Sequence, residues 1–260
     1  MFARKRKKSL LFLISFIGFS TISLGIGKSV RMEKYSELLL IDSVRYEAKL
    51  NFSTYVKVLY NDLEDTSLLY SAFEEAMIGY HNLDQSGKIR RKDILTVIDF
   101  SKASNQDRLF IIDLCDRKIL HKSVVAHGVN SGTLYANRFS NINNSKQSSL
   151  GFYVTTTTYT GKFDLALRLD GVESTNNLAN ERGVVMHAAN YATYEFLAAN
   201  EGVLGRSHGC PAMPYENFHQ VVEWIKEGTC LYIYHPSNSY KRASRYLNRL
   251  NYLEDFIGLD

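Results

Sequence analysis

The chain changes texture near residue 105, and that change limits its fold more than any other feature. Before it, apolar residues recur three and four apart. Leu68, Leu69, Ala72, Phe73, Ala76, Met77 and Tyr80 share one helical face, as do Tyr55, Val56, Leu59 and Tyr60. Ser53 and Ser67 stand where N-caps are expected. After it come short β-branched and aromatic runs between polar turns. Arg108-Leu109-Phe110-Ile111-Ile112-Asp113-Leu114, then Cys115-Asp116-Arg117-Lys118, then Ile119-Leu120-His121-Lys122-Ser123-Val124-Val125 reads as strand, turn, strand. Further strands are expected at 151–159, 163–169, 183–187 and 230–235, with a helix near 215–227 and a polar Asn- and Ser-rich loop over 130–149. The pattern predicts an α+β protein. A helical region (28–104) precedes a β-rich domain (105–236) and a helical tail (237–260). Tyr246, Leu247, Leu250, Leu253 and Ile257 give the tail an apolar face that is expected to dock on the body; contact with a membrane surface is the alternative.

Charge narrows the partners. Of 31 basic residues, Arg4, Lys5, Arg6, Lys7 and Lys8 lie within the first 27 positions, which hold no acid. The remainder carries 26 basic against 27 acidic residues, so no nucleic-acid partner is expected. That basic cluster runs into Leu10-Leu11-Phe12-Leu13-Ile14-Ser15-Phe16-Ile17-Gly18-Phe19, and Ser23-Leu24-Gly25 offers a small-x-small cleavage pattern. Residues 1–27 thus have the form of a signal peptide. As a helix, residues 10–27 would span about 27 Å against a hydrocarbon core of ~30 Å, so an uncleaved segment would serve as a membrane anchor. Either way the body is expected outside the cytoplasm, in the periplasm or cell envelope. Three cysteines then leave one odd. Cys115 and Cys230 either pair or stay as two buried thiols.

Chemistry concentrates in two strings, Gly183-Val184-Val185-Met186-His187 and Arg206-Ser207-His208-Gly209-Cys210-Pro211. A thiol is only a few per cent thiolate at neutral pH, so a nucleophilic Cys needs an imidazole or oriented N–H groups nearby. Gly209 lets a carbonyl approach closely, and the N–H groups of Gly209 and Cys210 are candidates for an oxyanion hole. Arg206 is either a holder of a substrate carboxylate or, the commoner outcome, a surface Arg in a loop. Zinc is a rival, with His187, His208 and Cys210 as ligands and His127 or His235 in reserve. No His-Glu-x-x-His or His-x-His string supports it, and neither metal nor cofactor is expected. Residues 82–93 follow the outline of a calcium loop, but only Asp84 and Asp93 are anionic among Lys88, Arg90, Arg91 and Lys92. A turn between two helices is expected there instead. Papain-like enzymes run Cys before His, the wrong order for this chain.

The two strings together resemble the signature of the L,D-transpeptidases, the YkuD-type peptidoglycan cross-linking family, in which a strand-closing His precedes Ser/Thr-His-Gly-Cys. Ser149-Leu150-Gly151-Phe152-Tyr153-Val154 is similar to that family's small-x-Gly-x-aromatic stretch. The likeness covers roughly 106–236. The resemblance implies Cys210 as nucleophile, His187 as base with its ring oriented by the carbonyl of Ala188, and His208 and Gly209 at the site. Ser207 and Arg206 would touch substrate. Two departures mark a divergent branch: Pro211-Ala212-Met213-Pro214 follows the Cys, and nineteen residues separate His187 from Ser207. By the resemblance, Cys210 attacks the third residue of a peptidoglycan tetrapeptide stem, expels D-alanine, and passes its thioester to an amine, giving a 3→3 cross-link. Water as acceptor would make an L,D-carboxypeptidase. The rival from another class is an inactive wall-binding scaffold. Sortases also place His before Cys, but an Arg follows theirs.

Overall fold

The computed structural model describes residues 26–161 and 164–258, with side chains from Glu37 onward. The expected signal or anchor lies outside the described residues, apart from positions 26 and 27. Among the described residues no helix is long and apolar enough to cross a membrane. Two compact units meet at Val44. The first is described from Ile26 to Val44 as the opening of helix α1 (Ile26–Asp62), and Leu38, Leu39 and Leu40 are exposed on it.

The second unit holds the rest of α1, where Ala48, Phe52, Val56 and Leu59 are buried at helical spacing. Helix α2 (Tyr70–Gln85) follows, burying Ala72, Phe73, Ala76, Met77, Tyr80 and Leu83. Both Ser positions read as caps are corrected. Ser53 lies inside α1, which runs through it. Ser67 precedes the extended N-cap Leu69 and bonds Asp65 instead. Tertiary packing of α1 carries the helix past a residue that would favour a start.

An eight-stranded mixed sheet is built from β1 (Ile94–Asp99), β2 (Leu109–Asp113), β3 (Lys118–Ser123), β4 (Gly151–Gly161), β5 (Asp164–Gly171), β6 (Val185–Ala188), β7 (Ala212–Met213) and β8 (Cys230–Tyr234). Its order is β3-β2-β1-β8-β4-β5-β6-β7, with β1–β8 and β6–β7 parallel and the other pairs antiparallel. β1 corrects the helical reading of 28–104. Ile94, Thr96, Val97 and Ile98 are β-branched and every residue of β1 is buried, as suits a central strand between β2 and β8. The loop at 82–93 therefore joins a helix to a strand, not two helices. In it Asp84 pairs with Lys92 at 2.7 Å and Asp93 with Arg91 at 3.5 Å.

Helix α2 lies so close to the sheet that a Cβ on Gly79 would fall 1.9 Å from Phe152 Cζ. Phe152 stacks on Tyr232 at 4.2 Å between ring centres. Helices α3 (Tyr194–Ala199), α4 (Phe218–Ile225) and α5 (Asn238–Ala243) complete the unit. The tail is α5, a bend and a 3-10 turn (Asn251–Phe256) rather than one helix. It docks as expected through Tyr246, Leu253 and Phe256, while Leu250 and Ile257 stay exposed. The buried carboxylate of Glu173 fastens it, accepting from Phe152 N–H (2.9 Å), Tyr240 OH (2.8 Å) and Ser244 OH (2.5 Å).

Candidate active site

The site forms at the β6–β7 end of the sheet, where two strings far apart in sequence run side by side. β6 closes on His187-Ala188, which pair in parallel with Ala212-Met213 of β7. That register sets Cys210 beside Val185, whose N–H donates to the sulfur at 3.5 Å, and the thiol reaches the Gly183 carbonyl at 3.6 Å. The sulfur thus rests on the main chain that leads into His187. Burial pushes the thiol up from its usual range, opposed by the Val185 N–H and the charge of Arg182.

His187 is buried, and its Nδ1 lies 2.9 Å from the Ala188 carbonyl. A carbonyl only accepts, so Nδ1 carries the proton and Nε2 holds the lone pair of the neutral ring. Burial also pushes this imidazole down. Burial thus favours the neutral form of both groups.

Ser207 and Gly209 stand otherwise than expected. The Ser207 hydroxyl is turned inward, donating to the Cys210 carbonyl at 2.6 Å and accepting from Gly209 N–H at 3.0 Å. It therefore locks the turn that carries Cys210 from within. The same bond takes the Gly209 N–H, one of the two amides expected to form an oxyanion hole. Gly209 is demanded by geometry: φ is +129°, and a Cβ would meet the Gln147 carbonyl at 2.8 Å. His208 is exposed beside the turn. Arg206 is exposed and donates to the Gly132 carbonyl at 3.3 Å, pointing along the loop and not at the sulfur.

A buried pair holds the turn from behind. Arg108, fully buried, donates to the Val125 carbonyl at 2.9 and 2.6 Å and to His127 Nδ1 at 2.8 Å. His127 Nε2–H then donates to the Gly132 carbonyl at 3.3 Å. Burial and the Arg108 charge hold His127 down at about 4. Its carbonyl accepts from Ser207 N–H at 2.9 Å, which ties this core to the Cys210 turn. His127 is thus committed to Arg108, and His235 packs on Phe139. Among the described residues no group of three or more His, Cys, Asp or Glu side chains could hold a metal. Cys115 is exposed and Cys230 is buried, and both are free thiols.

Sequence reading missed Arg182, which donates to the carbonyls of Ser140 (2.9 Å) and Gln147 (2.6 Å) and to the hydroxyls of Ser145 (3.2 Å) and Ser149. Its nearness to His187 in sequence was a signal, but an Arg before a glycine has no periodicity to mark it.

With strand-borne His, thiol turn and supporting loop in place, the comparisons agree with the motif. The chain belongs to the L,D-transpeptidase catalytic-domain family, whose model matches residues 64–234. The match starts well before 105, so α2 and β1, read from sequence as outside the shared domain, fall within it. An L,D-transpeptidase from Mycobacterium smegmatis is 13% identical, with 55% of this chain and 59% of that one covered at a TM-score of 0.36. For an L,D-transpeptidase from Mycobacterium tuberculosis H37Rv the figures are 13%, 55%, 58% and 0.35. For the helical cell shape determining protein Pgp2 from Campylobacter jejuni they are 14%, 62%, 57% and 0.36. The chain spans less than two thirds of the length of these structures. No curated protein matches it.

Proposed function

We propose that this chain is an exported cysteine L,D-transpeptidase acting on peptidoglycan stem peptides in the periplasm or cell envelope. One observation carries the reading: the Cys210 sulfur rests against Gly183 and Val185, on the strand that presents His187 with its Nδ1–H held by the Ala188 carbonyl. Nε2 of that tautomer is the base. As Sγ bonds to the carbonyl carbon of the third stem residue, the thiol proton passes to His187. The Cys210 N–H faces the oxygen that becomes negative. Collapse expels D-alanine, whose amine takes the proton from His187, and leaves a thioester. A side-chain amine of a second stem then attacks and gives its proton to His187, and the sulfur leaves, taking that proton back, as the 3→3 link forms. His208, exposed next to the turn, is placed to meet substrate or leaving group.

The test is mass spectrometry of a disaccharide-tetrapeptide incubated with the protein, beside Cys210→Ala and His187→Ala. Loss of D-alanine that falls to background in both variants, with thermal unfolding retained, is the expected result. A cross-linked dimer identifies transpeptidation and a free tripeptide carboxypeptidation. An unchanged tetrapeptide with folded wild-type protein would favour an inactive wall-binding scaffold.

A further inference from the structure

Arg182 touches four acceptors spread over ten residues of the Asn- and Ser-rich loop, from Ser140 to Ser149. A planar guanidinium with donors in a fixed fork can close two ends of a loop on each other; an ammonium cannot reach all four. All four acceptors are neutral carbonyls or hydroxyls, so these bonds leave the full positive charge in place.

The same loop lies against the nucleophile turn. Ser148 Oγ donates to the Gly209 carbonyl at 3.1 Å and accepts from Gly128 N–H at 3.0 Å. A Cβ on Gly209 would sit 3.4 Å from Arg182 Nη2. The sulfur of Cys210, one residue on, contacts the main chain of Gly183 and Val185, directly after Arg182. Arg182 contributes positive charge at that sulfur, while His187 lies on β6 and exposed His208 stands two residues before Cys210 on the turn. Burial, and after it the charge of Cys210 and Tyr215, push up the phenol of Tyr191, in the 3-10 turn after β6. Arg182 is the group of fixed positive charge in that set.

We propose that Arg182 is the positioning residue of the thiol site: it clamps the 140–149 loop over the Cys210 turn. In the same pose it holds a positive charge beside the sulfur through the steps in which that sulfur is anionic. This rests on Cys210 being the nucleophile, but it predicts a property of the thiol that needs no substrate.

The experiment is the pH profile of iodoacetamide alkylation at Cys210 in purified wild-type protein, Arg182→Lys and Arg182→Gln. It is read by mass spectrometry of the Cys210 peptide, because exposed Cys115 also reacts. Limited proteolysis within 140–149 is followed in parallel. Arg182→Gln should move the alkylation midpoint upward and slow the reaction about tenfold at fixed pH, the effect of a one-unit rise. Arg182→Lys keeps the charge and should stay within about threefold, while the loop is cut faster in both variants. A folded Arg182→Gln with the wild-type midpoint overturns the charge role. Equal slowing in both variants does the same, since it would report loop loosening alone. Unchanged proteolysis in Arg182→Lys overturns the clamp. If the Gln variant does not fold, the Lys variant decides: faster loop cutting with a kept midpoint supports the proposal, and a midpoint moved by a full unit overturns it. Absence of peptidoglycan turnover by the wild type with these thiol results intact would sink the enzymatic reading and the role during turnover, and leave the loop clamp and the charge beside the sulfur standing.

Discussion

At the site each residue is held by main chain more than by side-chain partners. Ser207 is the clearest case, since its hydroxyl bridges Gly209 N–H and the Cys210 carbonyl and so fixes where the sulfur points. Gly209 has no tolerated substitute, because its positive φ and the Gln147 carbonyl both exclude a Cβ. Gly209→Ala should lose roughly 1–3 kcal/mol and displace the 145–148 segment. Thermal unfolding with alkylation of Cys210 measures both, and a variant matching wild type in the two would refute the steric argument. Burial raises the thiol and lowers His187, so the resting site is neutral. Alkylation without substrate should therefore show a midpoint above that of an exposed cysteine, ~8.5. A midpoint well below that value would instead mean a preformed thiolate–imidazolium pair.

Among the elements, the tail depends on a single buried carboxylate. Glu173 follows β5, yet its oxygens take the N–H of Phe152 in β4 and the hydroxyls of Tyr240 and Ser244 from α5 and its C-cap. Removing it leaves one amide and two hydroxyls without their acceptor in a dry interior. Glu173→Ala should lose about 2–4 kcal/mol by denaturant unfolding and expose residues after Pro236 to protease. A stability change within experimental error would show the tail is held by the packing of Tyr246, Leu253 and Phe256 and by the bonds of Asn82 to Tyr246, Arg249 and Tyr252 instead. The helix–sheet contact at Gly79 gives a second expectation. Gly79→Leu would drive a side chain into Phe152 and should cost more than Gly79→Ala by denaturant unfolding, by far more than their small difference in helix propensity.

Across the whole molecule, buried imidazoles set the response to acid. Burial lowers His81, His121, His127, His187 and His235 below the ordinary His value, with His127 at about 4. Each binds its proton more readily when unfolded, so stability is full above ~6.5 and falls as pH drops toward the folded values. His127 alone accounts for on the order of 2–3 kcal/mol over that range. Asp99, which burial pushes up, opposes this at lower pH. Urea midpoints at pH 7.5 and pH 5.0 test it: the acid midpoint should be lower with an unchanged slope, and equal midpoints would contradict it. Local chemistry was readable in the chain, because residue type and spacing act within a few positions. The helices at 70–85 and 218–225, the strands from β2 to β6 with β8, the His187 and Cys210 strings and the family likeness were all legible that way. β1 was misread because its company is non-local: it is a strand by virtue of lying between β2 and β8. The two-residue β7, the inward turn of Ser207, the loss of the Gly209 amide to it and the reach of Arg182 across the 140–149 loop were likewise decided by pairing between distant segments. Such contacts join residues that no window of sequence contains, so only the tertiary structure settles them.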